Sequence, residues 1–374
     1  VLRSGWVIVG SLPTKGGNVS GPGCLIVLDR WGHVRETFAG QGINGPWDMG
    51  SLDLGSQAVL FVTNVLNGTV AAKGGTVFGG TVLRLVVQIP RSGLPWIQFN
   101  TTIGSGFAQK LDPAALVIGP TGVGLTTALT VLRSGWVIVG SLPTKGGNVS
   151  GAGCLIVLDR WGNVRETFRG GGINGPWDMG SLDLGNQAVL FVTNVLNGTV
   201  AAKGHVVFGG TVLRLVIKIP QFGLPFIWFR ATIGSGFPER TDPAALVVGP
   251  TGAGLGRNDV LYVADTLGNR IAAIPNAVFR FFSAGTGFTV TRGRFLNGPL
   301  GLVIAPGGNI LTVNSGNGNL VETTPFGAQI AVRQLDSSGS PPGAGALFGL
   351  AVKPGHRAVY YVDDATNTLN LLHR

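Results

Sequence analysis

Two tryptophan–aspartate pairs are the strongest candidates for chemistry in this sequence. Trp47-Asp48 and Trp177-Asp178 occupy equivalent positions in two near-identical segments, and an asparagine follows sixteen residues after each aspartate. A carboxylate beside an aromatic ring can bind a cation or a sugar hydroxyl, and carboxylate and amide oxygens suit a hard cation such as calcium. The candidate ligand-binding residues are therefore Trp47, Asp48, Asn64, Trp177, Asp178 and Asn194, with Asp48 and Asp178 as the candidate calcium ligands.

A structural interpretation of the same residues competes with this one. Asp48 and Asp178 can instead accept hydrogen bonds from neighbouring backbone amides, while Trp47 and Trp177 pack between sheets. The duplication bears on the choice, because an enzyme site is asymmetric and copying a block of the chain would disturb it. A binding surface tolerates such a copy better. The sequence therefore favours binding over catalysis, and it leaves the catalytic residues unknown.

The sequence offers few residues that could form another kind of active site. The four histidines, His33, His205, His356 and His373, form no cluster with metal-ligand spacing. The chain also lacks a Gly-x-Ser-x-Gly nucleophile segment and a Gly-x-x-x-x-Gly-Lys phosphate loop. We expect no cofactor, with calcium as the one open option.

The positive charge is spread evenly along the chain. The net charge of +10 divides into +3 over residues 1–130, +4 over 131–260 and +3 over 261–374. A nucleic-acid partner is not expected, because such proteins concentrate their basic residues in a patch or run. An unknown protein, a glycan or another anionic polymer is the expected class of partner.

The elements that must position these residues are strands. With 63 glycines and 21 prolines among 374 residues, a helical bundle is excluded, and a charged fraction of only 12% excludes disorder. Residues 1–120 match residues 131–250 at 100 of 120 positions, and half of the differences lie within 91–111. Short apolar runs separated by Gly-rich and polar turns, in units of about four strands, predict an all-β propeller.

The spacing of the units predicts a single propeller domain over 1–374. Strand starts after Asn-Gly-Pro or Asp-Pro signals place blades near residues 1, 46, 112, 176, 242, 298 and 346, which favours seven blades over six. The first and last units lack a strand. Their open edges offer a route to self-association. Residues 113–132 are uncharged, but their prolines and glycines predict two strands and a turn, so we expect no membrane span.

One segment of the chain carries a specific resemblance to a known protein family. Leu261–Ile271, with the sequence LYVADTLGNRI, resembles the NHL-repeat signature, and weaker copies occur at 60–67, 190–197 and 361–367, the last with Asn367. The chain also resembles uncharacterised bacterial proteins of the NHL-type propeller class. The resemblance implies a propeller fold in which the Asp and Asn of each signature cap turns. Some similar six-bladed propellers are calcium-dependent hydrolases or lyases, and some NHL domains bind RNA.

These observations lead to one functional expectation with two alternatives. We expect a non-catalytic binding or scaffold propeller of NHL type in an extracellular or periplasmic setting. The chain begins with Val1 and has no basic-then-apolar leader, so we expect a mature or truncated form. The first alternative is a calcium-assisted hydrolase or lyase at the central channel. The second is a self-assembling extracellular structural protein.

Overall fold

The computed structural model is built almost entirely from antiparallel strands. It describes residues 2, 4–15, 18–53, 55–112, 116–118, 129–145, 148–149, 151–160, 163–242, 246–352, 358–363, 365 and 368–373. Within that part of the chain, the one helical element is a 3-10 turn at Arg257–Asp259. No helix among the described residues is long and apolar enough to cross a membrane.

Seven sheets follow one another along the chain in a seven-blade β-propeller arrangement, as the sequence predicts. Blade 1 has β1 (Val7–Ser11), β4 (Cys24–Leu28) and β5 (Val34–Ala39), with a hairpin of β2 (Thr14–Lys15) and β3 (Asn18–Val19). Blade 2 has β6 (Pro46–Asp53), β7 (Gln57–Asn64), β8 (Val77–Gln88), β9 (Trp96–Asp112) and β10 (Leu116–Ile118). Blade 3 has β11 (Leu129–Val131), β12 (Val137–Ser141), β15 (Cys154–Leu158) and β16 (Val164–Phe168), with a hairpin of β13 (Thr144–Lys145) and β14 (Asn148–Val149).

The remaining blades continue the same order of strands. Blade 4 has β17 (Pro176–Asp183), β18 (Gln187–Asn194), β19 (Val207–Lys218), β20 (Phe226–Asp242) and β21 (Leu246–Val248). Blade 5 has β22 (Pro250–Leu255), β23 (Leu261–Asp265), β24 (Arg270–Ile274) and β25 (Phe288–Arg292). Blade 6 has β26 (Pro299–Ile304), β27 (Ile310–Asn314), β28 (Asn319–Thr323) and β29 (Gln329–Gln334). Blade 7 has β30 (Leu347–Val352), β31 (Ala358–Asp363) and β32 (Thr368–His373), so each end blade has three strands in the described part.

Two of the expected blade starts are wrong. Asp112 and Asp242 do not open a sheet but end the long outer strands β9 and β20. The short strands β10 and β21 then pair back onto those ends, and the next blades begin at Leu129 and Pro250. An Asp-Pro pair suits any turn that precedes a strand, so it cannot distinguish a short fifth strand from the first strand of a new blade. The other starts lie at Val7, Pro46, Pro176, Pro299 and Leu347.

The chain divides into two compact units, each with its own core. Unit 1 comprises residues 1–125, 144–150 and 158–164, and unit 2 comprises 126–143, 151–157 and 165–374. In unit 1 the core lies between the sheets of blades 1 and 2. In unit 2, separate cores lie between successive blades from 3 to 7. Because blades 3 and 5 cover the two faces of blade 4, its second strand β18 is buried along seven of its eight residues.

Candidate functional site

Asn64 ends the second strand of blade 2, and its side chain holds a turn together. Its Oδ1 accepts hydrogen bonds from the backbone amides of Asn44 and Gly45, both at 2.8 Å. Its Nδ2 donates to the carbonyl of Gly42 at 2.8 Å and to Thr81 Oγ1 at 3.2 Å. An amide side chain has two donor hydrogens and two acceptor lone pairs. Asn64 is fully buried and has no hydrogen-bonding capacity left for a ligand.

Asn194 repeats this arrangement in blade 4. It is fully buried, and each of its four hydrogen bonds has a length within 0.1 Å of the equivalent bond of Asn64. Asn64 and Asn194 therefore each hold the turn that precedes a first strand. The partners of Asn194 are the amides of Asn174 and Gly175, the carbonyl of Gly172 and Thr211 Oγ1.

Asp178 lies on the first strand of blade 4 and links it to blade 5. Asp178 is 2% exposed. Its Oδ1 accepts from the amide of Met179 at 2.7 Å, and its Oδ2 accepts from the amide of Ala253 at 2.8 Å. Burial raises the pKa of Asp178 to about 7, against the opposing effect of the hydrogen bonds from Ala253 and Met179. Asp178 and Asn194 are both buried, and their oxygens accept hydrogen bonds from backbone N–H groups.

A chain of buried threonine hydroxyls continues from Asp178 through unit 2. Thr193 Oγ1 accepts from the amide of Asp178 at 3.0 Å and donates to the carbonyl of Thr251 at 2.6 Å. Thr251 Oγ1 in turn contacts Thr266 Oγ1 at 2.8 Å and the carbonyl of Leu300 at 3.0 Å. Each hydroxyl satisfies a backbone group at a register shift in a first strand. The hydroxyls of Thr193 and Thr251 therefore satisfy buried backbone groups of neighbouring blades.

The remaining predicted site residues are Trp47, Trp177 and Asp48. Trp47 and Trp177 are half-buried on the first strands of blades 2 and 4. The backbone of Asp48 pairs with Thr63, but its side chain lies outside the described residues. Asn367 and His356 also lie outside them. Among the described residues, no group of three or more His, Cys, Asp or Glu side chains could hold a metal ion.

Solvent-exposed aromatic and basic side chains lie on the outer strands of blade 4, away from the predicted site residues on its first and second strands. Phe226 is 48% exposed and Trp228 is 64% exposed, both on β20, and Arg230 is exposed on the same strand. On β19, Lys218 places Nζ 4.9 Å from the centroid of the Trp228 ring and donates to Gln187 Oε1 at 2.9 Å. We call Lys218, Phe226 and Trp228 the aromatic–cationic face. A β-bulge at Trp228 turns Arg230, which pairs with Leu215, to the opposite face of the sheet.

A loop of blade 5 extends the aromatic surface next to this face. Arg214 is buried with its guanidinium carbon 5.2 Å from the ring centroid of Phe229 and 5.7 Å from that of Phe281. The two rings meet edge to face at 5.3 Å, and Arg214 Nε donates to the carbonyl of Val278. Phe282 is 83% exposed at the end of this loop.

Blade 2 carries a neutral version of the same face. Trp96 is 51% exposed at the position of Phe226, and glutamines replace the lysine and the tryptophan. Gln57 Nε2 donates to Gln98 Oε1 at 3.3 Å, and Gln88 Nε2 donates to the same oxygen. The difference between Gln98 and Trp228 is one of those concentrated within 91–111.

A second pair of differences accommodates Arg230. Its Nη1 donates to the carbonyl of Gly170 at 3.3 Å, and its guanidinium occupies the space that a Cβ on Gly171 would need. In blade 2 the equivalent residues are Gln41 and Asn100, and the Asn100 amide donates to the carbonyl of Gln41. Residue 171 is therefore a glycine where Arg230 needs the space. The equivalent residue 41 is a glutamine because the shorter Asn100 leaves that space free.

Comparisons with known proteins establish the fold alone. No protein-family model matches the chain, and no match was found among curated proteins. A solved 6-phosphogluconolactonase-like protein of Bacteroides fragilis aligns with a TM-score of 0.52 and 10% identity over 99% of this chain and 90% of its own. A Bacteroides uniformis protein of the same description gives 0.50 and 11% over 98% and 92%. Virginiamycin B lyase from Staphylococcus aureus gives 0.47 and 11% over 98% and 85%. These structural neighbours are β-propeller proteins, as this chain is.

Proposed function

We propose that this chain is a non-catalytic binding propeller of NHL type whose ligand contacts lie on the outer part of its blades. The observation that carries the proposal is the aromatic–cationic face of blade 4. There, Trp228 and Phe226 are exposed to solvent, whereas Asp178 and Asn194 accept hydrogen bonds from backbone amides in the interior. Exposed aromatic residues are typical of binding surfaces, where a few of them supply most of the binding energy.

The residues with pKa values near neutrality do not support catalysis. Burial raises the pKa of both Asp178 and Glu239 to about 7, which is a useful range for a general acid or base. A catalytic group must reach its substrate, and both carboxyls lie in the interior. Glu239 Oε1 accepts from the amide of Asn197 at 2.7 Å, so this carboxyl has a structural contact instead.

The local geometry of the signature segment supports assignment to the NHL type. Asp265 is buried, its Oδ1 accepts from the amide of Gly268 at 3.0 Å, and its Oδ2 accepts from Arg270 Nε at 2.8 Å. The Asp, Gly and Arg of the signature thus form one turn motif. An extracellular or periplasmic location is part of the same proposal and rests on the resemblance to bacterial NHL-type proteins.

The test combines a search for turnover with a search for binding on one preparation. Untreated full-length protein is analysed for native mass by light scattering and for calcium by elemental analysis. It is then assayed against a panel of lactones and esters and for retention on immobilised polysaccharides, nucleic acids and proteins. We expect saturable retention on a polymer without turnover. Calcium-dependent turnover that is lost in Asp48→Asn would overturn the proposal, and a filament without retention would favour the structural-protein alternative.

A further inference from the structure

We infer that this chain docks on the surface of an anionic lipid bilayer by inserting exposed phenylalanine side chains from the outer turns of blades 4, 5 and 6. The inference goes beyond the proposed binding of a polymer, because it concerns other side chains and another kind of partner. Three observations lead to it: exposed phenylalanines recur in equivalent turns, these turns lie at one end of neighbouring blades, and the segments around them contain no carboxylate.

In each of these three blades, the turn between the third and fourth strands carries an exposed phenylalanine. The turns are 219–225 in blade 4, 275–287 in blade 5 and 324–328 in blade 6. We call the following residues the phenylalanine tips: Phe222 in blade 4, Phe279 and Phe282 in blade 5, and Phe326 in blade 6. They are between 72% and 97% exposed. A phenylalanine ring has no hydrogen-bonding group, so each tip presents a large apolar area to water.

The direction of the strands places these turns at the same end of the blades. Because the strands of a blade alternate in direction, the turn after its third strand lies at the end where its first strand finishes. The first strands of blades 5 and 6 run side by side in the same direction, since Gly252 lies against Leu300 and Gly254 lies against Ile304. The turns of these two blades therefore point the same way.

Contacts between outer strands join the three turns. Phe281, in the turn of blade 5, meets Phe229 near the start of β20 edge to face at 5.3 Å. The turn of blade 6 packs against the start of β25, because a Cβ on Gly327 would collide with the carbonyl oxygen of Val290. Phe288, the first residue of β25, is exposed as well. The tips therefore belong to one stretch of surface that crosses three blades of unit 2, and an exposed apolar surface of this kind marks an interaction site.

A bilayer suits the phenylalanine tips better than a folded partner does. The tips stand on three separate turns, and a protein partner would need a complementary pocket for each projecting ring. Lipid chains are fluid and surround an inserted ring without a preformed pocket. Phenylalanine is one of the residues with which peripheral proteins enter the boundary between headgroups and acyl chains. The chemistry of the tips therefore favours a lipid surface.

The charge around the tips favours an anionic surface. The segments around the turns have six basic residues and no acidic residue, over 218–230, 275–294 and 324–334. Asp259 contacts the turn of blade 5, but its carboxylate accepts from the amide of Val278 at 2.6 Å and interacts with the buried Arg214. The net charge of the whole chain is +10, which attracts it to a layer of anionic headgroups.

The experiment measures cosedimentation of the full chain with vesicles of equal parts phosphatidylcholine and phosphatidylglycerol, and with vesicles of phosphatidylcholine alone. Phe222→Ser introduces the residue that blade 2 has at the equivalent position, Ser92. The double variant Phe282→Ser/Phe326→Ser removes tips from blades 5 and 6. Phe208→Ser is the matched control, because Phe208 is also highly exposed but lies at the other end of β19, about 33 Å along the strand from the turn of Phe222.

We expect the wild-type protein to bind the anionic vesicles about tenfold more tightly than the phosphatidylcholine vesicles. Phe222→Ser should weaken binding about tenfold, the double variant about a hundredfold and Phe208→Ser less than about twofold. Unchanged binding by the tip variants, or no binding of the wild-type protein to either vesicle, would overturn the inference. Dimers that the tip variants abolish, seen by light scattering without vesicle binding, would replace it with association between two copies. Retention on a polymer tests the proposed function separately, because the tip variants keep the aromatic–cationic face, so the two failures are distinguishable.

Discussion

Blades 2 and 4 are two copies of one sequence that agree at most buried positions and differ chiefly on their outer strands. Asn64 and Asn194 make the same four hydrogen bonds in their respective copies. The outer strands instead present a glutamine cluster beside Trp96 in one blade and the aromatic–cationic face in the other. Residues that satisfy buried backbone groups cannot change without leaving a donor or acceptor unpaired. The comparison therefore separates residues that maintain the blade from residues that are free to determine its ligand.

The largest expected effect tests the shared part of the two blades. Asn64→Ala and Asn194→Ala each leave two buried backbone amides without an acceptor, so each should lower the free energy of unfolding by about 3 kcal/mol. Urea denaturation followed by tryptophan fluorescence measures the change. Equivalence of the copies predicts that the two losses agree within about 1 kcal/mol.

Asn100→Ala serves as the control for this prediction. Its amide makes one exposed contact, to the carbonyl of Gln41, so its removal should cost about 0.5 kcal/mol. A loss at Asn64 as small as the loss at Asn100 would show that the turn does not depend on the side-chain clamp.

The next effect tests a buried difference between the copies. Glu239 in blade 4 replaces Gln109 of blade 2, and burial raises its pKa from an ordinary 4.5 to about 7. The folded state therefore holds this proton more tightly than the unfolded state does, and stability falls as pH rises from about 4.5 to 7. Glu239→Gln should raise the free energy of unfolding at pH 8 on the order of 2 kcal/mol and leave it nearly unchanged at pH 4.

The reciprocal variant sharpens this prediction. Gln109→Glu should introduce the same loss at high pH into blade 2. Because burial also raises the pKa of Asp178 to about 7, Glu239→Gln should reduce the pH dependence without abolishing it. A stability that rises with pH between 5 and 8 in the wild-type protein would contradict the assignment of both carboxyls.

A smaller effect tests whether Gly171 and Arg230 are coupled. Gly171→Gln should cost about 1.5 kcal/mol, partly because the new side chain must displace the exposed Arg230 guanidinium and partly because Gly171 has a φ of +57°, where a non-glycine residue is strained. Combining it with Arg230→Asn reproduces the pair of residues found in blade 2, and only the part of the cost that comes from the displaced guanidinium should disappear. Unfolding of the four members of this double-mutant cycle measures the coupling. Additive costs would mean that the two positions are independent.

Sequence alone predicted the all-β propeller and most blade starts, because each rests on local chemistry. The Asn-Gly-Pro signals at 44–46, 174–176 and 297–299 precede first strands, and Asp265 lies in the turn that its signature implies. The Asp-Pro signals failed because β9 and β20 each run for 17 residues, and their length depends on pairing with distant strands.

The candidate site was harder to predict than the fold. Sequence placed Asp178 on a first strand, but its function depends on the amide of Ala253, 75 residues away. The aromatic–cationic face was not predicted, because exposed aromatic residues on an outer strand form no motif and the contact of Lys218 with Trp228 depends on the register of β19 and β20. The concentration of differences within 91–111 was a signal for it that carried no information about exposure.

The smallest expected effect concerns the differences on the aromatic–cationic face. Trp228→Gln and Lys218→Gln should each change the free energy of unfolding by less than about 0.5 kcal/mol, because an exposed cation–π contact contributes little. The same urea titrations measure this. If these substitutions cost more than 1 kcal/mol, the face would be part of what holds blade 4 together, and its divergence from blade 2 would reflect packing. A near-zero effect together with lost polymer binding would assign the residues to recognition, because only their contact with a ligand would then distinguish the two copies.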